Sequence, residues 1–351
     1  MKHASSGSFL RPVIPKTLRA AAAAACAALL LLPAAPAAGA GQGSEAAAIP
    51  ALQTGPDGES TIRRADLRVG RVAYRLAVAG RPLCPNSWPA SGLLFHHLAE
   101  YAPPDRPLMV ARYGLDRGPG VLSVVGGSPA AKAGLVAGDV LLSVDGAAFP
   151  SAVEIAAIRE RSVWRARLEA TERQLEDALR RGPADLLVLR QGRTLALRLD
   201  SLPACLGRVR LARSEQVNAF ATKGDYVVMT TAMLDFVRSD DELAVALGHE
   251  LAHIIFGHPA IRSEEGVLSG LGIHPSSLWK REAEADRFGL RLMAAAGYDL
   301  DAALPFWRRY LGKYDWFPQI FRSHPSLGAR QKIAAEEIAA IRAGQPWRPG
   351  M

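Results

Sequence analysis

The sequence predicts an α+β protein in two unlike parts, a strand-rich unit in the middle of the chain and a mainly helical domain with a small hairpin sheet after it. Three observations carry this reading. The stretch from Asp240 to His258 puts acidic residues in a first turn and Leu243, Leu247, Leu251 and Ile254 on one stripe, the pattern of a buried helix. Between residues 107 and 200, short apolar runs are separated by glycine turns, as in a small sheet domain. The first forty residues carry cations and no acid ahead of an apolar run, and belong to neither part.

Taken in order, Lys2, Arg11, Lys16 and Arg19 precede an apolar run from Ala20 to Leu32, and Ala38-Gly39-Ala40 follows. A basic region, a short hydrophobic core and a small-residue site read as a secretory signal peptide over 1–40. Pro33 and Pro36 interrupt the run and favour cleavage over retention as an anchor. An exported chain of the periplasm or cell envelope is therefore expected. Residues 41–65 are rich in Ala, Gly, Ser and Pro and are expected to be a disordered leader. Leu67, Val69, Val72, Tyr74, Leu76 and Val78 read as strand material, which makes 66–106 an N-terminal strand segment. His96 and His97 are adjacent and diverge in direction, so they are expected to pack rather than share a metal.

Charge and cysteine narrow the class. The formal net charge of +8 includes the four leader cations, and the remaining basic residues are scattered without a Lys/Arg block interleaved with aromatics. Nucleic acid is therefore excluded as a partner. After the leader no apolar run is long enough to span a bilayer, which leaves at most peripheral membrane contact. Cys84 and Cys205 are then the remaining cysteines, an even pair in an oxidising compartment, and are expected to form one disulfide rather than two buried thiols. It would close a loop of about 120 residues and stabilise the fold by up to roughly 4–5 kcal/mol.

The chemistry lies in the buried helix. His249 and His253 are four residues apart and share a helix face, so both imidazoles can reach one Zn²⁺, while Glu250 is rotated toward water beside it. A catalytic zinc needs a third protein ligand and an open position. Downstream, Glu282 and Asp286 are again four apart on a helical pattern, so one can bind metal while the other orients a ligand histidine. His258 and His274 are expected to be structural. The uncharged run from Gly266 to Trp279 is expected to form a lid over the cleft.

With these motifs in place, the chain resembles the zinc-peptidase family that includes the CAAX prenyl protease, HtpX and BepA, whose pattern is HExxH followed by a helix bearing ExxxD. The resemblance implies a zincin-type peptidase domain over 201–351. It also implies one Zn²⁺ per chain held by His249, His253 and Glu282, with Glu250 as general base and acid and Asp286 orienting His249. Asn218-Ala219-Phe220 followed by Tyr226 to Thr231 is similar to the family's Asn-Ala hairpin, which implies that Asn218 and Ala219 line the substrate groove. Ser323-His324-Pro325-Ser326 with Arg330 is similar to the family's late His-Pro and Arg pair, which implies that His324 and Arg330 steady the oxyanion.

A second resemblance covers the middle unit. Tyr113-Gly114-Leu115, then Val121 to Val125, then Ser128-Pro129-Ala130 through Ala133-Gly134-Leu135, Gly138-Asp139 and Val144-Asp145-Gly146 resemble a PDZ domain, a β-sandwich or partial barrel, over 107–200. Leu108 to Ala111 reads as its leading strand, and Ser151 to Arg181 as a long helical insertion. The resemblance implies that C-terminal or unfolded polypeptide segments dock at its sheet edge, with the amides around Tyr113, Gly114 and Leu115 receiving a terminal carboxylate. Two functions follow: an exported zinc metalloendopeptidase cleaving envelope or misfolded proteins, with the PDZ domain for capture or regulation, or a PDZ-based periplasmic chaperone or assembly factor with a resting or vestigial metal site. A serine protease is excluded because no Gly-x-Ser-x-Gly turn exists.

Overall fold

Residues 61–150, 161–222, 225–258, 276–312 and 326–348 are described in the computed structural model of this chain. The signal peptide, most of the leader, most of the expected lid, His274 and His324 lie outside them.

The first element corrects an expectation. Thr61–Ala79 is a helix, α1, and not strand material. The alternation of Val72, Tyr74, Leu76 and Val78 competes with a helical stripe of Val69, Val72, Ala73, Leu76 and Ala77, all buried, while Arg64, Arg68, Arg71 and Arg75 share another face. Hydrophobic burial on one stripe with charge opposite selects the helix. Short strands follow, β1 (Trp88–Ala90) and β2 (Leu93–His96). The second correction is Arg106–Tyr113, which is helix α2 where a strand was expected. Pro107 presets the first turn, Met109 is buried, and Gly114 closes the helix at φ +65°, a conformation that favours glycine.

The middle unit continues through β3 (Gly120–Val124), the short helix α3 (Pro129–Lys132), β4 (Val140–Val144), β5 (Ala147–Ala148), helix α4 (Arg161–Arg181), β6 (Ala184–Arg190) and β7 (Arg193–Leu199). Its sheet runs β2-β3-β4-β6-β7, with β5 paired to β4. Thus Leu93–His96 is an edge strand of this sheet, and the unit draws in residues before 107. Leu175, Ala178 and Leu179 of α4 pack under it with Val121, Leu141, Leu186 and Val188.

After β8 (Leu202–Ala204), which pairs with β1, come β9 (Arg208–Ala212), β10 (Ala219–Ala221) and β11 (Tyr226–Thr230). The expected hairpin is present: β10 and β11 are antiparallel with Ala219 opposite Met229 and Ala221 opposite Val227, and β9 adds to β11 in parallel. Helices α5 (Thr231–Phe236), α6 (Asp240–Ile255), α7 (Ser276–Ala295), α8 (Ala303–Gly312) and α9 (Leu327–Arg342) complete the chain. Arg68 and Arg71 of α1 donate to Asp240 at 2.8 and 2.7 Å, so α1 is tied to the start of α6. Cys84 and Cys205 are disulfide-bonded, as expected, with Cα atoms 5.6 Å apart. Among the described residues no helix is long and apolar enough to cross a membrane.

Candidate metal centre

Helix α6 starts where Ser239 Oγ accepts from the amide of Glu242 at 3.2 Å, and Asp240, Asp241 and Glu242 meet the positive end of its dipole. Two turns further on it carries Gly248, His249, Glu250 and His253. Helix α7 crosses it where two glycines meet. A Cβ on Gly248 would stand 3.0 Å from the Gly289 carbonyl oxygen, and one on Gly289 would stand 2.9 Å from the Gly248 carbonyl carbon. The backbones come this close because neither residue has a side chain. Asp286 and Glu282, one and two turns before Gly289, are thereby laid against the histidines.

The three expected ligands converge. His249 Nε2 and His253 Nε2 are 3.1 Å apart, and the Glu282 carboxylate places Oε2 3.5 Å from the first and Oε1 3.5 Å from the second. Atoms bound at roughly 2.0–2.1 Å to a tetrahedral Zn²⁺ lie about 3.3 Å apart, so these spacings fit that ion. The donor set, two imidazoles and a carboxylate, fits it as well. His249 and Glu282 are buried, which keeps competing water from the ligand atoms.

Each ligand is held from behind. Asp286 Oδ1 lies 2.8 Å from His249 Nδ1. Arg330, buried at the start of α9, donates to Glu282 Oε2 at 2.7 Å, reaches Asp286 Oδ1 at 3.4 Å, and stacks its guanidinium 4.0 Å over the Trp307 ring of α8. His253 Nδ1 lies 2.8 Å from His258 Nδ1. Burial and Arg330 oppose protonation of His249, but Asp286 and Glu282 outweigh them and raise it to about 9. Burial holds His253 well below the usual imidazole range. Glu250 is pushed up to about 7, chiefly by burial, against the pull of His249. The backbone of Ala221, the last residue of the β10 edge strand, favours the ionised form of this carboxyl.

Residues 201–274 and 276–338 match peptidase family M48, and residues 120–158 match the PDZ domain family. Residues 201–338 thus resemble an M48 peptidase domain. It is similar to the mitochondrial metalloendopeptidase OMA1 of Arabidopsis thaliana, 31% identical over 146 residues, covering 34% of this chain and 29% of that protein. It is also similar to human metalloendopeptidase OMA1, 28% identical with 35% and 30% covered, and to the beta-barrel assembly-enhancing protease of Escherichia coli K12, 24% identical with 38% and 34% covered. The chain spans about a third of the length of the curated relatives it matches.

The M48 motifs HExxH and ExxxD, joined by Arg330, come together as one cluster. Asn218 and Ala219 sit at the outer strand of the hairpin, where the Asn218 amide donates to Thr230 Oγ1 at 3.1 Å. Tyr113, Gly114 and Leu115 belong to the PDZ unit and are not at the carboxylate position expected of them. The Gly114 amide is spent on Val110 O at 2.9 Å, Leu115 is fully buried, and the strand beside α4 is β2. The edge of β2 borders a half-open cavity of about 150 Å³ lined by Leu93, Leu94, Leu175, Tyr74 and Arg208, so α1, α4 and β9 flank it. Sequence reasoning missed the Gly248–Gly289 crossing, for which the signal was an isolated glycine inside each apolar helical pattern. Trp307 also went unassigned, because among Phe306, Trp307 and Tyr310 of α8 nothing local singles out the ring that Arg330 stacks on.

Proposed function

We propose that this chain is an exported, zinc-dependent metalloendopeptidase that cleaves envelope or misfolded proteins, with a PDZ domain that captures substrate or regulates access. The observation that carries the proposal is the convergence of His249, His253 and Glu282, with Glu250 on the same helix beside them. Zn²⁺ held by those three residues would supply Lewis acidity to the scissile carbonyl and to water. Peptide adds as a strand along Asn218 and Ala219, which orients the scissile bond in a zincin-type cleft. Glu250, near 7 and partly open to solvent, removes a proton from the attacking water and delivers it to the leaving amine. Asp286 fixes the ring of His249, and Arg330 fixes Glu282. The expectation that His324 donates to the oxyanion, with Arg330 behind it, is retained. The disulfide and the basic, apolar leader support export to the periplasm or envelope.

The test is a casein-type digestion with stoichiometric metal analysis, wild type against Glu250→Gln. One zinc per chain in both proteins with hydrolysis only in the wild type is expected; hydrolysis by the variant overturns the assignment. A second reading is a PDZ-based assembly factor with a resting metal site, in which the half-open cavity beside the β2 edge takes up peptide. It requires Glu250→Gln to complement a deletion strain fully.

A further inference from the structure

The two ligand histidines are backed by different chemistry. His249 meets a carboxylate, Asp286, directly. His253 meets another imidazole: its Nδ1 lies 2.8 Å from His258 Nδ1. Two ring nitrogens at that distance must be one donor and one acceptor. Which is which follows from the other side of His253, whose Nε2 faces His249 Nε2 at 3.1 Å and Glu282 Oε1 at 3.5 Å and needs a lone pair to bind a cation. The proton of His253 therefore sits on Nδ1 and is donated to His258. His258 in turn carries its proton on Nε2, which points to Glu284 Oε2 at 3.5 Å.

The fold puts His258 there by design of the helix end. Helix α6 ends at Ile255, Gly257 takes φ +69°, and the chain folds back so that His258 returns under His253. Its ring is buried, 4.9 Å from the His253 ring and 5.7 Å from that of Phe256. Glu284 lies on α7 between the ligand Glu282 and the orienting Asp286, so the one helix backs both histidines.

We propose that His258 is a positioning residue for the metal centre, which accepts from His253 Nδ1 to hold that ring in its metal-binding tautomer and orientation, with Glu284 behind it. The inference rests on the metallopeptidase reading but does not need proteolysis for its test. Zn²⁺ affinity, measured by chelator competition on the full chain, is expected to fall roughly 10–100-fold in His258→Phe, which keeps a ring in the packing and removes the acceptor. His258→Asn, which returns an acceptor oxygen near the Nδ1 position, is expected to recover most of that loss. The metal-free proteins should melt alike, and the visible spectrum of the Co²⁺-substituted protein should change in His258→Phe alone. Wild-type Zn²⁺ affinity in His258→Phe overturns the proposal, as does a loss that His258→Asn does not repair. Where His258→Phe fails to fold, Glu284→Gln carries the test: weaker Zn²⁺ binding of about threefold supports the relay, and unchanged binding overturns it. Absence of Zn²⁺ binding by the wild type would instead sink the metallopeptidase reading itself.

Discussion

The metal centre and the junction where α4 meets β9 use the same side chains to different ends. At the junction Arg208 and Arg210 face Glu172 and Glu176. Arg208 holds Glu176 through two bonds of 2.8 and 2.5 Å, and Arg210 and the Tyr226 hydroxyl both donate to Glu172. Guanidinium groups alone face the carboxylates here, where Glu100 also lies 3.8 Å from Arg210, and Trp88 lies under Arg208 and Arg180. At the metal centre one guanidinium, Arg330, serves both Glu282 and Asp286, and imidazole nitrogens stand where a second cation would be. Buried carboxylates in excess of their cations must be protonated or bind one. The partner of each carboxylate, guanidinium at the junction and imidazole at the centre, separates a brace from a site in this molecule.

The comparison can be broken most sharply at Glu250, which the metal centre does not need as a ligand. Glu250→Gln is expected to lower kcat/KM for an unfolded protein substrate by about 10²–10⁴-fold with zinc content unchanged. At the junction end, reduction of Cys84–Cys205, which closes a loop across 121 residues beside β1 and β8, is expected to cost up to roughly 4–5 kcal/mol in a denaturant melt. A loss under about 1 kcal/mol would mean that the β1–β8 contact holds the junction without it.

Arg330→Met removes the guanidinium that meets both Glu282 and Asp286 and is expected to destabilise the metal-free protein by about 3–5 kcal/mol, with Zn²⁺ restoring more stability to the variant than to the wild type. Equal stabilisation of both by Zn²⁺ would count against this role of Arg330. The smallest effect is expected from pH at the junction. Burial raises the Glu172 carboxyl to about 7 against the pull of Arg210 and Arg208, and burial with Glu100 nearby does the same to Asp66. A carboxyl whose folded value lies above its unfolded value contributes its stability in full at low pH, below about 4, and loses it as pH rises through about 7. From pH 5 to 8 the wild type should therefore lose on the order of 1–3 kcal/mol relative to Glu172→Gln, read from denaturant midpoints. A pH-independent difference would show that the arginines already hold Glu172 ionised throughout.

Legibility tracked locality. The HExxH pair was visible because both ligands lie within one helical turn, and Glu282 with Asp286 repeated the same spacing. The β10–β11 hairpin was visible because a short turn joins its strands. Misreadings fell where two periods competed in one stretch: Val72, Tyr74, Leu76 and Val78 alternate like a strand while lying within a helical stripe, and Leu108 to Ala111 is too short for its period to decide. The PDZ edge strand was misplaced because Leu93–His96 joins β3 from across the intervening helix α2, and no local pattern announces that pairing. His258 was legible as a residue and not as a partner, since its role depends on the turn at Gly257.

The sequence by itself put His249 and His253 on one helix face, Glu282 and Asp286 on another, and the cysteines in a pair, because each follows from spacing along one element or from a count; the choice of Glu282 as third ligand came from the family resemblance. Tertiary structure decided which carboxylates meet imidazoles, which imidazole nitrogens converge with Glu282, and that α1, α4 and β9 flank the PDZ edge. Those outcomes depend on the close approach of α6 and α7 at Gly248 and Gly289 and on pairings between distant segments, where packing and desolvation, rather than propensity, set the energy.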